Sequence, residues 1–148
     1  MGESPGSGKG PAVRIEVSGT VATAAPRALE ALRDYARFGA WWHVRAMPCR
    51  GRDDAVWVRP LPWVWILMVR RPHPEPGHVT YDYARGPFRG RGTWLVTPDA
   101  SHPERCTVSY TIELEPVNWL VRILSGTRFF RARHRADIRQ ILGRLERL

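Results

Sequence analysis

From Cys106 to Glu115 the chain alternates without a break. Cys106, Val108, Tyr110, Ile112 and Leu114 fall on one face; Thr107, Ser109, Thr111, Glu113 and Glu115 fall on the other. A period of two over ten residues is the mark of a strand with one face buried. Pro116 ends the pattern, and from Asn118 to Leu148 apolar residues recur at helical spacing: Leu120, Ile123, Leu124, then Ile138, Ile141, Leu142 and Leu145. A half-buried antiparallel strand running into one long terminal helix argues for an α+β chain whose curved sheet wraps that helix, and against an alternating βαβ order. The five apolar residues of the strand are then expected to face the helix.

Upstream, Val13, Ile15 and Val17 alternate with Arg14, Glu16 and Ser18, which predicts a first strand through Val21. Thr23 and Pro26 mark a helix start, with Leu29, Leu32 and Ala36 on one face and an end near Phe38–Gly39. Short strands follow around 44–47, 55–59, 63–70, 78–85 and 90–97, separated by proline- and glycine-rich breaks. The expected order is strand, helical segment, six strands and a long helix, in one domain over 13–148 behind a disordered tail over 1–12. The strand 63–70 is apolar on both faces, so one side meets the interior and the other meets the early helix or a partner chain. Both a monomer and a homodimer fit this reading.

No apolar run approaches the length of a membrane span, and the two cysteines are far apart, so the chain reads as soluble and cytoplasmic. Its net charge of +9 resembles a nucleic-acid signal, but 22 of its 23 basic residues are arginine. That skew fits the codon bias of a GC-rich bacterium better than a selected nucleic-acid surface. Eight arginines nevertheless lie between 118 and 148 against Asp137 and Glu146, so a basic face on the last helix is available to phosphate, RNA or an anionic membrane surface.

Three further segments carry a family resemblance: Val64-Trp65, Arg70-Arg71-Pro72 and Gly86-Pro87-Phe88, the last six residues before Trp94, with Cys106 opening the final strand. With the element order, they resemble the START-like (SRPBCC) superfamily, whose fold is the helix grip. Gly86-Pro87-Phe88 is similar to the coenzyme Q-binding branch and its relative, the ribosome-association toxin. Val64-Trp65 with Arg70-Arg71-Pro72 is similar to the aromatase/cyclases of aromatic polyketide synthesis. The resemblance implies a six- to seven-stranded sheet, an internal cavity and a hydrophobic ligand (a polyketide, quinone or lipid), with an acyl carrier protein as a candidate partner. It also implies a pocket arginine at Arg71, with Arg70 its rival on the opposite strand face. The chain departs from the cyclases after the first helix, offering Val44-Arg45 where they place a tyrosine.

The five histidines have no paired metal-ligand spacing, and neither a phosphate-binding glycine loop nor a nucleophile elbow occurs, so no cofactor is expected. What the chain offers is aromatic walls and a few polar groups. Arg71, Arg70, Tyr83 and His43 are the candidates for catalysis: a guanidinium to hold a developing enolate oxygen, a phenol to relay a proton, and an imidazole as acid or base. Trp42, Trp65, Tyr81, Trp94 and Tyr110 are the candidates for ligand contact. Three functions remain open at this point: a cofactor-independent cyclase, aromatase or dehydratase; a lipid or quinone carrier; and a docking protein using its basic helix.

Overall fold

A computed structural model of the chain describes residues 13–72, 75–116 and 128–148. The proposed tail lies outside them, as does the stretch 117–127 with Arg122. Seven strands form one antiparallel sheet: β1 (Val13–Val21), β2 (Arg45–Pro48), β3 (Ala55–Leu61), β4 (Val64–Arg70), β5 (His78–Arg85), β6 (Phe88–Pro98) and β7 (Cys106–Pro116). Their order across the sheet is β1-β7-β6-β5-β4-β3-β2, so sequence neighbours pair as hairpins and β1 closes against β7. The helices are α1 (Ala25–Arg33), α2 (Phe38–Trp41) and α3 (Arg128–Leu145), with a 3-10 turn at Tyr35–Arg37.

The alternation in β7 is realised residue for residue. Cys106, Val108, Tyr110, Ile112 and Leu114 are all buried on the concave face, and in β1 Val13, Ile15, Val17 and Val21 join them. Along α3 the buried residues are Ile138, Ile141, Leu142 and Leu145, the helical stripe that the sequence carried. The helix runs across β1, where Gly19 leaves room for Leu142: a Cβ on Gly19 would stand 3.1 Å from the leucine's Cδ1.

The early helix departs from its expected extent. It stops at Arg33, because Asp34 adopts φ −86°, ψ 83°, and the chain then makes a 3-10 turn and the short α2. The buried stripe is Ala25, Ala28 and Leu32, continued by Tyr35 and Phe38, while Ala36 is exposed. Thr23 does not cap α1. It is buried and its hydroxyl donates to the Leu145 carbonyl, 3.4 Å away, tying the start of α1 to the end of α3.

The two apolar faces of β4 also resolve. Met68 and Ile66 look into the concave side, whereas Trp65, Leu67 and Val69 alternate onto the convex side. The early helices cover the concave side, so they do not meet the outer face of β4. Leu67 is buried there, opposite Trp57 in register.

Candidate functional site

Between the concave face and α3 lies a cavity of about 120 Å³. Its walls are mostly apolar: Trp42, Val58, Ile66, Met68, Leu114 and Ile138, with Phe88 and Phe130 toward one end. This is smaller than the several hundred cubic ångströms typical of sites for drug-sized ligands, and close to the volume that takes a single aromatic ring. A larger groove of about 1020 Å³ lies over α1, bordered by Glu30, Arg33, Asp34, Arg70 and Arg71, but it is open and charged.

Polar groups enter the cavity at two places. At the floor, Tyr81 and Tyr83 on β5 and Tyr110 on β7 bring their hydroxyls together: Tyr81 and Tyr83 lie 3.2 Å apart, and Tyr81 also hydrogen-bonds Tyr110. Tyr81 and Tyr83 share a face because they are two apart on a strand. Tyr81 fits because its register partner is Gly92, where any Cβ would intrude on the ring. Burial pushes all three phenol pKa values up, so they stay protonated and act as hydrogen-bond donors. Tyr35 is buried nearby, its hydroxyl without a hydrogen-bond partner among the described residues, and burial raises its pKa as well.

On the wall, His43 follows α2 and His134 lies nearly two turns into α3. His43 Nε2 stands 3.8 Å from Asp137 Oδ2, too long for a hydrogen bond, while its Nδ1 is buried without a partner among the described residues. His134 stacks on Phe130 with ring centroids 6.0 Å apart, and its Nε2 likewise has no hydrogen-bond partner among the described residues. Burial, helped by Arg144 and Arg133, lowers the His43 pKa to about 4. Burial also lowers His134 to about 4, against the opposing pull of Asp137. Both rings are therefore neutral at pH 7, and the His43–Asp137 ion pair is not formed there. Arg144 in turn holds the loop, donating to the Trp42 carbonyl at 2.9 Å.

These histidines set a pH dependence. Their folded pKa of about 4 lies below the ordinary 6.5, so between those values the unfolded chain binds protons that the folded chain excludes. Stability is full above pH 6.5 and falls as the pH drops toward 4, by on the order of 1–3 kcal/mol per histidine. Urea unfolding at pH 7 and pH 4.5 will show this loss, and a His43→Gln/His134→Gln variant will lose less. Equal stability of the parent protein at both pH values would contradict the assignment.

The structure places the expected site residues unequally. His43, Trp42, Tyr81, Tyr83 and Tyr110 all line the cavity. Arg71 does not: it lies past the end of β4 on the solvent side, where Nε and Nη2 each reach an Asp82 carboxylate oxygen at 2.8 Å. Arg70 does alternate inward, but at the end of the sheet covered by α1 and the 3-10 turn. There its guanidinium lies 5.3 Å from the Tyr35 ring centroid and donates to the Arg33 carbonyl. The expectation that one of these arginines projects into the cavity is therefore corrected.

Trp65 is on the convex face with Arg59 over its ring at 5.2 Å, because its odd-numbered position in β4 points away from Ile66 and Met68. Trp94 is fully buried behind the floor, its ring centroid 4.2 Å from that of Tyr110, and does not line the cavity. Neither His134 nor Asp137 was among the site residues expected from sequence. Helical spacing carried the signal, since 134, 138, 141 and 145 form one face of α3. Among the described residues no group of His, Cys, Asp and Glu is arranged to hold a metal ion. No described helix is long and apolar enough to cross a membrane.

By sequence, the chain matches no family model and no curated protein. Solved structures do match. The Zhui aromatase/cyclase from Streptomyces sp. R1128 superposes with a TM-score of 0.69 at 15% identity, over 91% of this chain and 94% of that one. A START superfamily protein from Mycobacterium smegmatis gives 0.60 at 12% identity over 89% and 98%. DynU16, from the dynemicin biosynthetic locus, gives 0.59 at 18% identity, over 90% of this chain and 46% of its own length. At these identities the likeness is one of architecture: seven antiparallel strands curled on a terminal helix. The chain has the START-like helix-grip fold.

Proposed function

We propose that this protein holds a ring-sized, carbonyl-bearing apolar molecule in the cavity and promotes its cofactor-independent cyclisation or dehydration, in the manner of a polyketide cyclase/aromatase. One observation carries the reading: three protonated tyrosine hydroxyls converge at the floor of an otherwise apolar cavity. Neutral phenols donate to a carbonyl oxygen and donate more strongly to the enolate oxygen that forms from it, which is the condition for catalysis by charge stabilisation. A neutral imidazole accepts the α-proton as the C–H electron pair moves into the new C=C bond and the carbonyl oxygen takes up the charge. His43 is assigned that base role and Tyr83 the proton relay, with Tyr81, Tyr110 and Trp42 holding the ligand. Arg70 and Arg71 are given no part. The substrate enters free or on an acyl carrier protein, and the protein is assigned to the cytoplasm.

Tryptophan fluorescence tests binding, since Trp42 is in the wall. With 2-hydroxyacetophenone as probe, Tyr81→Phe and Tyr83→Phe will each bind on the order of tenfold more weakly, the loss of about one hydrogen bond to a buried acceptor. A thioester of a linear β-triketone tests turnover, which His43→Gln will abolish while leaving probe binding within about twofold. Unchanged binding in both tyrosine variants would sink the reading. Binding that depends on the tyrosines without any turnover would leave a carrier of quinones or related lipids.

A further inference from the structure

The three most exposed large apolar side chains among the described residues gather at one end of the sheet. Trp63 is 79% exposed at the tip of the β3–β4 hairpin, Phe129 is 75% exposed at the start of α3, and Leu61 is 46% exposed. Strand register defines this end: Leu61 pairs with Val64, Phe88 with Pro116 and Val13 with Leu114. The start of α3 joins it, the Phe130 ring lying 5.7 Å from that of Phe88. The cavity extends toward this end as well, since Pro60, Phe88, Phe130 and His134 belong to its wall. Large aromatic side chains left exposed at the same end of the sheet mark a contact surface.

Charge at this end is also positive. Some surface arginines of the molecule are paired, Arg14 with Glu16 and Glu113, Arg52 with Asp54 and Arg71 with Asp82, but those at this end are not. Here Arg85, Arg128 and Arg131 are exposed and make no ion pair with any described residue. Arg89 is spent on the carbonyls of Gly86 and Phe88, and Arg59 on the Trp65 ring. The carboxylates nearby are Glu115, opposite Arg89 in register, and Asp137 in the cavity wall. The balance is positive.

We propose that this end of the sheet docks on an anionic lipid surface, with Trp63 and Phe129 entering the headgroup boundary and Arg85, Arg128 and Arg131 meeting lipid phosphates. Trp63 and Phe129 project singly, from a hairpin tip and a helix start, rather than lining a groove that a protein segment would fill. Rings of this kind flanked by arginine suit the interfacial layer, where the apolar body is buried and the cation stays hydrated. Docked so, the cavity extends toward the membrane, and an apolar ligand passes between bilayer and protein without crossing water. The inference stands apart from the cavity chemistry, because a carrier and a catalyst would dock alike.

The test is co-sedimentation of the full chain with phosphatidylcholine vesicles and with vesicles containing phosphatidylglycerol. Binding is expected only to the anionic vesicles and should weaken with salt. It should drop on the order of tenfold both in Trp63→Ser/Phe129→Ser and in Arg85→Gln/Arg128→Gln/Arg131→Gln. The control Arg14→Gln/Arg52→Gln should bind as the parent does. Brominated acyl chains will quench part of the parent's tryptophan emission, and Trp63→Phe will remove that part, a readout independent of how the multiple variants fold. Absence of binding to anionic vesicles overturns the proposal. So does binding that ignores the Trp63/Phe129 change, which would be plain attraction to a cationic chain, and so does binding to an acidic carrier protein through these residues without binding to vesicles.

Discussion

Replacing Trp94 with alanine will lower stability by about 3–5 kcal/mol, the usual cost of emptying a buried aromatic site. Trp94 is 1% exposed and packs against Tyr110 and Trp42, with ring centroids 4.2 Å and 6.2 Å away. It stands behind the cavity floor, so its loss removes the support of Tyr110 without removing a ligand contact. Urea unfolding will read the stability change. Probe binding, measured where the variant is still folded, should fall less than in Tyr81→Phe. A Trp94→Ala protein of parental stability that had lost binding altogether would mean that the indole contacts ligand, contrary to its position.

Gly90→Ala is the second large effect. Gly90 has φ 144°, a region that residues with a Cβ avoid, and a Cβ there would run into the carbonyl of Glu113 on β7. Backbone strain of about 1–3 kcal/mol adds to a clash that must push β6 from β7, for which overpacking costs of about 1–3 kcal/mol are typical. The sum, roughly 2–6 kcal/mol, will appear as a lowered unfolding midpoint and as faster amide exchange along the Arg91–Glu113 stretch of the ladder. Wild-type stability in this variant would show that the left-handed geometry at Gly90 is not required.

Which parts of this molecule could be read from sequence follows from how local their causes are. β5 was legible to the residue and β7 to within one, its strand taking in Pro116, because alternation is set by the pleat and one buried face, both of which a short window contains. The α3 stripe was legible for the same reason at helical period. The break at Asp34 was not, since no proline or glycine marks it; Tyr35 and Phe38 go to the core by leaving the helix, a tertiary demand. Arg71 was misplaced because the position one residue beyond a strand has no enforced face, and Asp82 across the sheet offers a partner that only the register reveals. Trp65 shows the limit of alternation in a strand apolar on both sides: periodicity says the faces differ but not which one is inside.

The cavity was legible in outline and not in detail. Tyr81 and Tyr83 were paired by spacing alone, but the third hydroxyl comes from Tyr110, two strands away through β6, where Gly92 leaves the gap that the Tyr81 ring fills. His134 required knowing that the face of α3 bearing Ile138 and Ile141 meets the cavity.

The account rests on the tyrosine floor, and the carbonyl stretch of a bound ligand reports on it directly. Isotope-edited infrared spectra of carbonyl-labelled 2-hydroxyacetophenone should show the C=O band moved to lower frequency on binding, as phenol donors polarise it. The band should return toward its position in apolar solvent in the Tyr81→Phe/Tyr83→Phe protein. A bound ligand whose carbonyl band is the same in the parent and in that variant would place its oxygen away from the tyrosines and contradict the account.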